Sequence, residues 1–309
     1  MTTDGRGCVR GTTLCAMSSN TSSYLTSFAD LNELLGRFVA RVARILGDNF
    51  VGAYLQGSLA LGDADRYSDC DFLIVTRQAL TPEQEHDLRK LHVDVRTWPN
   101  HWAGHIEGSY VPQDDLRSLD GLGRKWLFID QGHSGSEMEW STHCNTEVVR
   151  WILREHGVAL AGPRPKELVD EVGPDVLRAK MREEAENFVS EMLTWIKLDS
   201  PWAQRYAVTS LCRILHTMET ARVSSKRAAL LWANDNLDAK WNDLISEALA
   251  GRSLGWNHSD PLKPGVLEAT LAFNEHVKQR AAQSEADTTP HGGRRLPRRR
   301  RSRRSGGGL

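Results

Sequence analysis

From Tyr24 to Leu46 the apolar residues Phe28, Leu31, Leu35, Phe38, Val42 and Leu46 recur every three or four positions. That spacing predicts an amphipathic helix with one face turned to a core. Phe50 to Leu55 then reads as a strand, and the nearly continuous apolar run Cys70 to Val75 as a buried one. A third strand is expected from His105 to Val111, bounded by Trp98-Pro99 on one side and Pro112 on the other. From about Thr146 the pattern turns helical, with Val148, Val149, Ile152 and Leu153 forming a short face that ends near Gly157. Gly162-Pro163-Arg164-Pro165 is the strongest breaker in the chain and marks the expected domain boundary. Beyond it the periodicity predicts helices near 173–198, 204–221, 225–236, 240–250 and 264–284. A strand-rich first half and a helical second half predict an α+β protein: a mixed-sheet domain over 24–162, then an α-helical bundle over 163–284. The polar segments 1–23 and 285–309 are expected to be disordered.

Composition narrows the classes. The longest apolar runs, such as Ala228 to Ala233, fall far short of the roughly 18 residues that mark a membrane span. The first residues lack the apolar core of a signal peptide. Five scattered cysteines (Cys8, Cys15, Cys70, Cys144 and Cys212) form neither a disulfide framework nor a zinc motif, which points to a reducing cytoplasm. The formal net charge of −1 conceals an asymmetry, because eight arginines lie between Arg294 and Arg304. Without them the body carries −9, which argues against a nucleic-acid partner and suits a cationic small molecule. The arginine tail lacks interleaved aromatics and reads as a solvated appendage.

Candidate chemistry is concentrated between Leu55 and Val75. Gly57-Ser58 directly follows a strand and opens a short helix, where a glycine lets the backbone approach a ligand and the serine hydroxyl adds a donor. Eleven residues after Ser58, Asp69 and Asp71 stand at i and i+2 at the start of the next strand. Alternation puts both carboxylates on one face, roughly 6–7 Å apart along the strand. Such a pair beside a triphosphate suits Mg²⁺, which takes one or two carboxylates plus substrate phosphates. Taken singly, a Gly-Ser is a turn and an Asp-x-Asp a solvated strand end. In this order, each against an apolar strand, they read as a phosphate-and-metal site.

The Gly-Ser…Asp-x-Asp arrangement resembles the nucleotidyltransferase fold of the DNA polymerase beta superfamily. That resemblance implies a third metal-binding carboxylate on a neighbouring strand. Glu107, in His105-Ile-Glu-Gly-Ser-Tyr-Val-Pro112, is favoured, and Asp94 competes for the role. Val148 to Pro163 resembles the helix and Leu-x-Gly-Pro turn that join the two domains of the streptomycin/spectinomycin adenylyltransferases. Tyr206 to Lys226 is similar to the helical-domain signature of that family, with Lys226 thirteen residues after Arg213. The resemblance covers roughly 25–280 and implies that Arg213 and Lys226 reach across a cleft to the nucleotide. One departure stands out: the family's drug modifiers carry acids after a Trp before this helix, whereas Trp202-Ala-Gln-Arg-Tyr206 has none.

The resemblance thus implies a Mg²⁺-dependent, cytoplasmic adenylyltransferase that moves AMP from ATP to a hydroxyl of a small cationic molecule, an aminoglycoside or aminocyclitol, releasing pyrophosphate. Asp69, Asp71 and Glu107 are the expected metal ligands, with Glu107 also the general base. Gly57, Ser58, Arg213 and Lys226 are the expected nucleotide contacts. No membrane partner is expected, and the chain is expected to act as a monomer. Alternatives are a nucleotidyltransferase acting on a protein or RNA, or a non-catalytic nucleotide-binding relative. Trp102, Trp140, Trp151 and Trp202 are candidate stacking walls. His143 and Asn145, just before the helix that begins near Thr146, are candidates to face the substrate, with a helix-capping role favoured for Asn145.

Overall fold

The computed structural model describes residues 25–132, 135–251 and 261–288. The expectations for 1–23 and for the arginine tail from residue 289 onward lie outside the described residues. α1 (Ala29–Leu46) is the predicted amphipathic helix, and it buries Leu31, Leu34, Leu35, Phe38, Val42 and Leu46. It leads into β1 (Phe50–Leu55), the one-turn α2 (Gly57–Ala60) and β2 (Cys70–Thr76). α3 (Pro82–Val95) was not anticipated from apolar spacing. Its start is written in a capping box, Thr81 with Gln84, and in Pro82 at the first turn. β3 (Ile106–Pro112), α4 (Gln113–Arg117), β4 (Trp126–Asp130), β5 (Met138–Ser141), α5 (Glu147–His156) and β6 (Val158–Ala161) complete the first half.

The six strands form one mixed sheet in the order β5-β4-β3-β2-β1-β6. Only β2 and β3 run parallel, with α3 as their crossover; the other pairs are antiparallel. Alternation assigns each strand residue to a face. Phe72, Ile74, Ile106, Tyr110, Leu127 and Ile129 pack with α1 and α3 in one core. Leu73, Val75, Val111, Trp126 and Phe128 point the other way, into a second core with Leu153 of α5 and Leu168. Asp71, Glu107 and Asp130 belong to this second face by parity.

Leu168 lies on α6 (Pro165–Leu168), after which the chain is helical: α7 (Pro174–Met192), α8 (Pro201–Thr220), α9 (Lys226–Asn236), α10 (Asn242–Ala250) and α11 (Val266–Thr288). α11 runs past the end expected at residue 284. Their shared core is centred on α8, which buries Ala207, Val208, Leu211, Cys212 and Leu215. A smaller apolar cluster joins the two halves: Ile152 and Trp151 of α5, Ala60 and Leu61 at α2, Leu177 of α7, and Val223 just before α9. Among the described residues no helix is long and apolar enough to cross a membrane.

Candidate active site

β1 delivers the chain to the site with its last amide register intact: the amide of Gln56 donates to the carbonyl of Asp71 at 3.0 Å. The next residue, Gly57, has φ +59°, and a Cβ there would lie 2.0 Å from Oδ2 of Asp71. Only glycine allows this turn to sit so close to that carboxylate. Ser58 follows in α2, and its carbonyl accepts the amide of Asp63 at 3.0 Å, closing the loop.

Asp71 lies directly across from Glu107 in the parallel β2–β3 register, and Glu107 directly across from Asp130 in the antiparallel β3–β4 register. Asp69, two residues before Asp71, shares their face. Four carboxylates from three adjacent strands therefore line one end of the sheet. Burial pushes the Asp69 carboxyl up to about 7, and the charges of Glu107 and Asp130 add to the effect while Lys226 opposes it. Asp71 is pushed up as well, first by burial and then by Glu107 and Asp69, with Lys226 and Arg213 opposing. The expected set of Asp69, Asp71 and Glu107 is thus brought together. Among the described residues, no group of three or more His, Cys, Asp or Glu is gathered closely enough to hold a metal ion by itself.

Asp94, the alternative third carboxylate, does not join this row. It sits near the end of α3 with its side chain 45% exposed, bound to Arg41 and to Nε1 of Trp98. The segment around it is a helix packed on the opposite face of the sheet, which is why it cannot reach Asp71. Asp130 was missed. Reading Trp126-Leu-Phe-Ile-Asp130 as an alternating strand would have placed it, since Trp126 and Phe128 share its face.

The helical half supplies the opposing charges. Arg213, on α8, donates from Nε to the carbonyl of Ser224 at 3.3 Å, and burial draws its guanidinium down while Asp71 and Asp63 support the charged form. Lys226 is the first residue of α9, whose N-cap Ser225 accepts the amide of Ala228 at 3.1 Å. The next amide, Arg227, donates to Oδ2 of Asp63 at 3.0 Å. That bond ties the start of α9 to the loop after Ser58, so Lys226 and the Gly57-Ser58 turn are held in one frame.

The aromatic expectations divide. Trp102 is fully buried in the sheet core and forms no wall. Trp140 is exposed and donates Nε1 to Glu85. Trp151 packs at the junction of the halves, 5.4 Å from the ring of His156. Trp202 stacks on Tyr206 at 5.4 Å and 15°, and Trp195 meets Tyr206 edge-on at 5.7 Å. Burial raises the Tyr206 phenol; Arg213 lowers it, and Glu107 and Glu184 of α7 raise it further. The Glu184 carboxylate itself is paired with Nζ of Lys180 at 3.1 Å. Asn145 is not a helix cap: Thr146 caps α5, and the Asn145 amide donates to the carbonyls of Gly121 and Arg124 at 2.8 and 2.7 Å.

Comparison with known proteins agrees with this two-part layout. A nucleotidyltransferase domain model matches residues 39–107, and a model of the aminoglycoside adenylyltransferase C-terminal domain matches 167–264. The chain is 24% identical over 230 residues to an aminoglycoside (3'') (9) adenylyltransferase of Shigella flexneri, covering 71% of this chain and 84% of that one. It is 24% identical over 264 residues to spectinomycin 9-adenylyltransferase of Campylobacter jejuni, covering 81% and 96%. The solved spectinomycin adenyltransferase AAD(9) of Enterococcus faecialis, with ATP and spectinomycin, superposes with a TM-score of 0.61 at 15% identity, over 80% of this chain and 98% of that one. A nucleotidyltransferase sheet followed by this helical signature makes the chain similar in both halves to the aminoglycoside adenylyltransferases, and supports an enzyme of that type.

Proposed function

We propose that the protein transfers AMP from ATP to a hydroxyl of a small cationic acceptor, an aminoglycoside or aminocyclitol, releasing pyrophosphate. One observation carries this reading: a row of carboxylates from β2, β3 and β4 faces Arg213 and Lys226 from the other half. The acceptor oxygen forms a bond to the α-phosphorus, the bond from that phosphorus to the bridging oxygen breaks, and pyrophosphate leaves. Glu107 takes the hydroxyl proton as general base. Gly57 and Ser58 hold the β- and γ-phosphates, while Arg213 and Lys226 neutralise charge that grows on the leaving group.

The donor set fits Mg²⁺: hard carboxylate oxygens that burial, and then their mutual repulsion, push toward protonation at Asp69 and Asp71 when no cation balances them. Asp69 and Asp71 would hold it, with Glu107 completing one site. When bound it supplies charge stabilisation to the attacking and leaving oxygens. The cleft lies between a sheet half, 24–162, and a helical half, 163–284, and orders both substrates, so positioning contributes much of the rate. Tyr206 and Trp202 give the acceptor an aromatic wall. We take the enzyme to act as a cytoplasmic monomer.

The test is incubation of the full chain with ATP, Mg²⁺ and a panel of aminoglycosides that includes streptomycin and spectinomycin, followed by mass spectrometry for an added AMP. One or more members should gain AMP. Asp69→Asn and Asp71→Asn should each lose more than about tenfold in kcat, equivalent to roughly 1.4 kcal/mol of barrier. Because each removes one of several mutually repelling carboxylates, neither should melt below the parent in EDTA. A panel left wholly unlabelled would refute the acceptor class, and an active Asp71→Asn variant the role of the carboxylate pair.

A further inference from the structure

Glu107 stands between two like charges, Asp71 on β2 and Asp130 on β4, each one strand spacing away at about 4.8 Å. With Asp71 and Asp130 both ionised, as a bound cation would keep them, neither neighbour donates to this carboxylate, and strand pairing alone does not fix the torsions of its side chain. A base whose carboxylate swings freely loses rate, because proton transfer requires its oxygen within hydrogen-bond reach of the hydroxyl. The one basic side chain within ion-pair distance of Glu107 among the described residues is His143, with Nε2 at 3.4 Å from Oε1.

His143 is itself held, although its side chain is 63% exposed. Its ring lies against Phe128, with centroids 4.9 Å apart, and its amide donates to Oγ of Ser141 at 3.2 Å. The two residues that follow, Cys144 and Asn145, are buried. Asn145 bonds two loop carbonyls and accepts Nη1 of Arg150 at 2.6 Å. Arg150 is fully buried and also donates to the carbonyls of Asp115, at 2.7 Å, and Leu116, at 3.2 Å. A rigid path therefore leads from a buried guanidinium through Asn145 to an exposed imidazole, and from there to Glu107.

We propose that His143 is a positioning residue for the transfer: its Nε2–H holds one oxygen of Glu107, leaving the other to take the proton of the acceptor hydroxyl. A base oriented by a donor that is itself anchored follows the general logic of catalytic constellations. The inference rests on the reading of Glu107 as the base.

The experiment compares full-length wild type, His143→Ala, His143→Gln, Glu107→Gln and the Ala/Gln double variant, with Mg·ATP and spectinomycin or streptomycin as probes. His143→Ala should lower kcat by about 10–100-fold, a part of the 10²–10⁴ that a positioned base contributes. Its KM for ATP and for the antibiotic should stay within about twofold, since a group acting only in the transition state leaves KM unchanged. His143→Gln, which keeps a donor, should recover most of the loss, and His143→Ala should cost nothing further in the Glu107→Gln background. Independently of any acceptor, the imidazole signal that His143→Gln removes from long-range proton–nitrogen spectra should shift in Glu107→Gln. An unshifted imidazole, an unchanged kcat, or a loss confined to KM would each overturn the assignment. Full activity in Glu107→Gln would overturn the base reading itself, whereas an inactive Glu107→Gln beside a fully active His143→Ala would overturn only the role of His143.

Discussion

Gly57→Ala separates the cost of a strained turn from the cost of moving Asp71. Gly57 sits at φ +59°, a conformation that costs an L-residue roughly 1–2 kcal/mol. The added Cβ would also lie 2.0 Å from Oδ2, 2.6 Å from Cγ and 3.0 Å from Cβ of Asp71. Contact with the carboxylate oxygen could be relieved by torsion alone, but overlap reaching Cγ and Cβ requires the whole side chain to shift. Gly62 provides the control: it has φ +72°, and nothing lies within 4 Å of its Cβ position. Gly62→Ala should therefore pay only the backbone term, lowering Tm by about 2–8 °C at roughly 2–4 °C per kcal/mol for a chain of this size. Gly57→Ala should melt lower still and lose about 100-fold or more in kcat, because displacing a reacting group's partner by about 1 Å can cost that much. Calorimetric melting and single-substrate kinetics on the two variants give both numbers. If Gly57→Ala turns over within about threefold of Gly62→Ala, close approach of the turn to Asp71 is not what the site depends on.

Two other perturbations test the frame around the site. His92 is fully buried, its Nε2 pairs with the Tyr110 hydroxyl at 2.9 Å, and burial pushes it down to about 3. The unfolded chain binds that proton near pH 6.5, so stability should fall as pH drops from about 6.5 toward 3, by up to about 1.4 kcal/mol per pH unit. Urea titrations at pH 7 and pH 5 should show wild type losing about 1–2 kcal/mol more than His92→Gln; parallel losses would contradict the linkage. Arg150→Lys replaces a planar fork that serves four carbonyl acceptors. The shorter ammonium cannot span them, and about 2–4 kcal/mol of stability should go, read by denaturant unfolding; a loss under about 0.5 kcal/mol would refute the clamp.

The legible parts of this chain were those with strong local period or strong local chemistry. The apolar stripe of α1, the buried run of β2 and the i, i+2 spacing of Asp69 and Asp71 each follow from one element's own geometry. β5 and β6 escaped notice because each is four residues long, and β5 buries only Met138 outright. Missing β4 hid Asp130, and missing α3 kept Asp94 in contention although Thr81-Pro82-Glu-Gln84 announces a helix start. The sequence marks His143 without its partner, since its meaning depends on Glu107, which is 36 positions away and brought near only by the fold. Local pattern reveals elements, while partnerships across the sheet need the register.

That distinction bears on why the site straddles two halves. Carboxylates gathered on adjacent strands repel one another, and burial makes the repulsion dearer, as the raised Asp69 and Asp71 show. Strand geometry alone cannot offset this, because in-register neighbours on one face are only about 4.8 Å apart and here carry the same sign. Arg213 and Lys226 offset it from the helical half, and both lower the cost at Asp71. Their position depends on the apolar junction around Ile152, Leu177 and Val223, and on the bond from the Arg227 amide to Asp63. Asp63 also belongs to the loop that closes on Ser58, so the device that seats Lys226 is built into the turn expected to hold the phosphates. A triphosphate entering this cleft would meet cations and donors already placed by packing, with the carboxylates beyond them still short of positive charge. On the function proposed above, such a site would suit a nucleotide carrying its own divalent cation rather than the nucleotide alone.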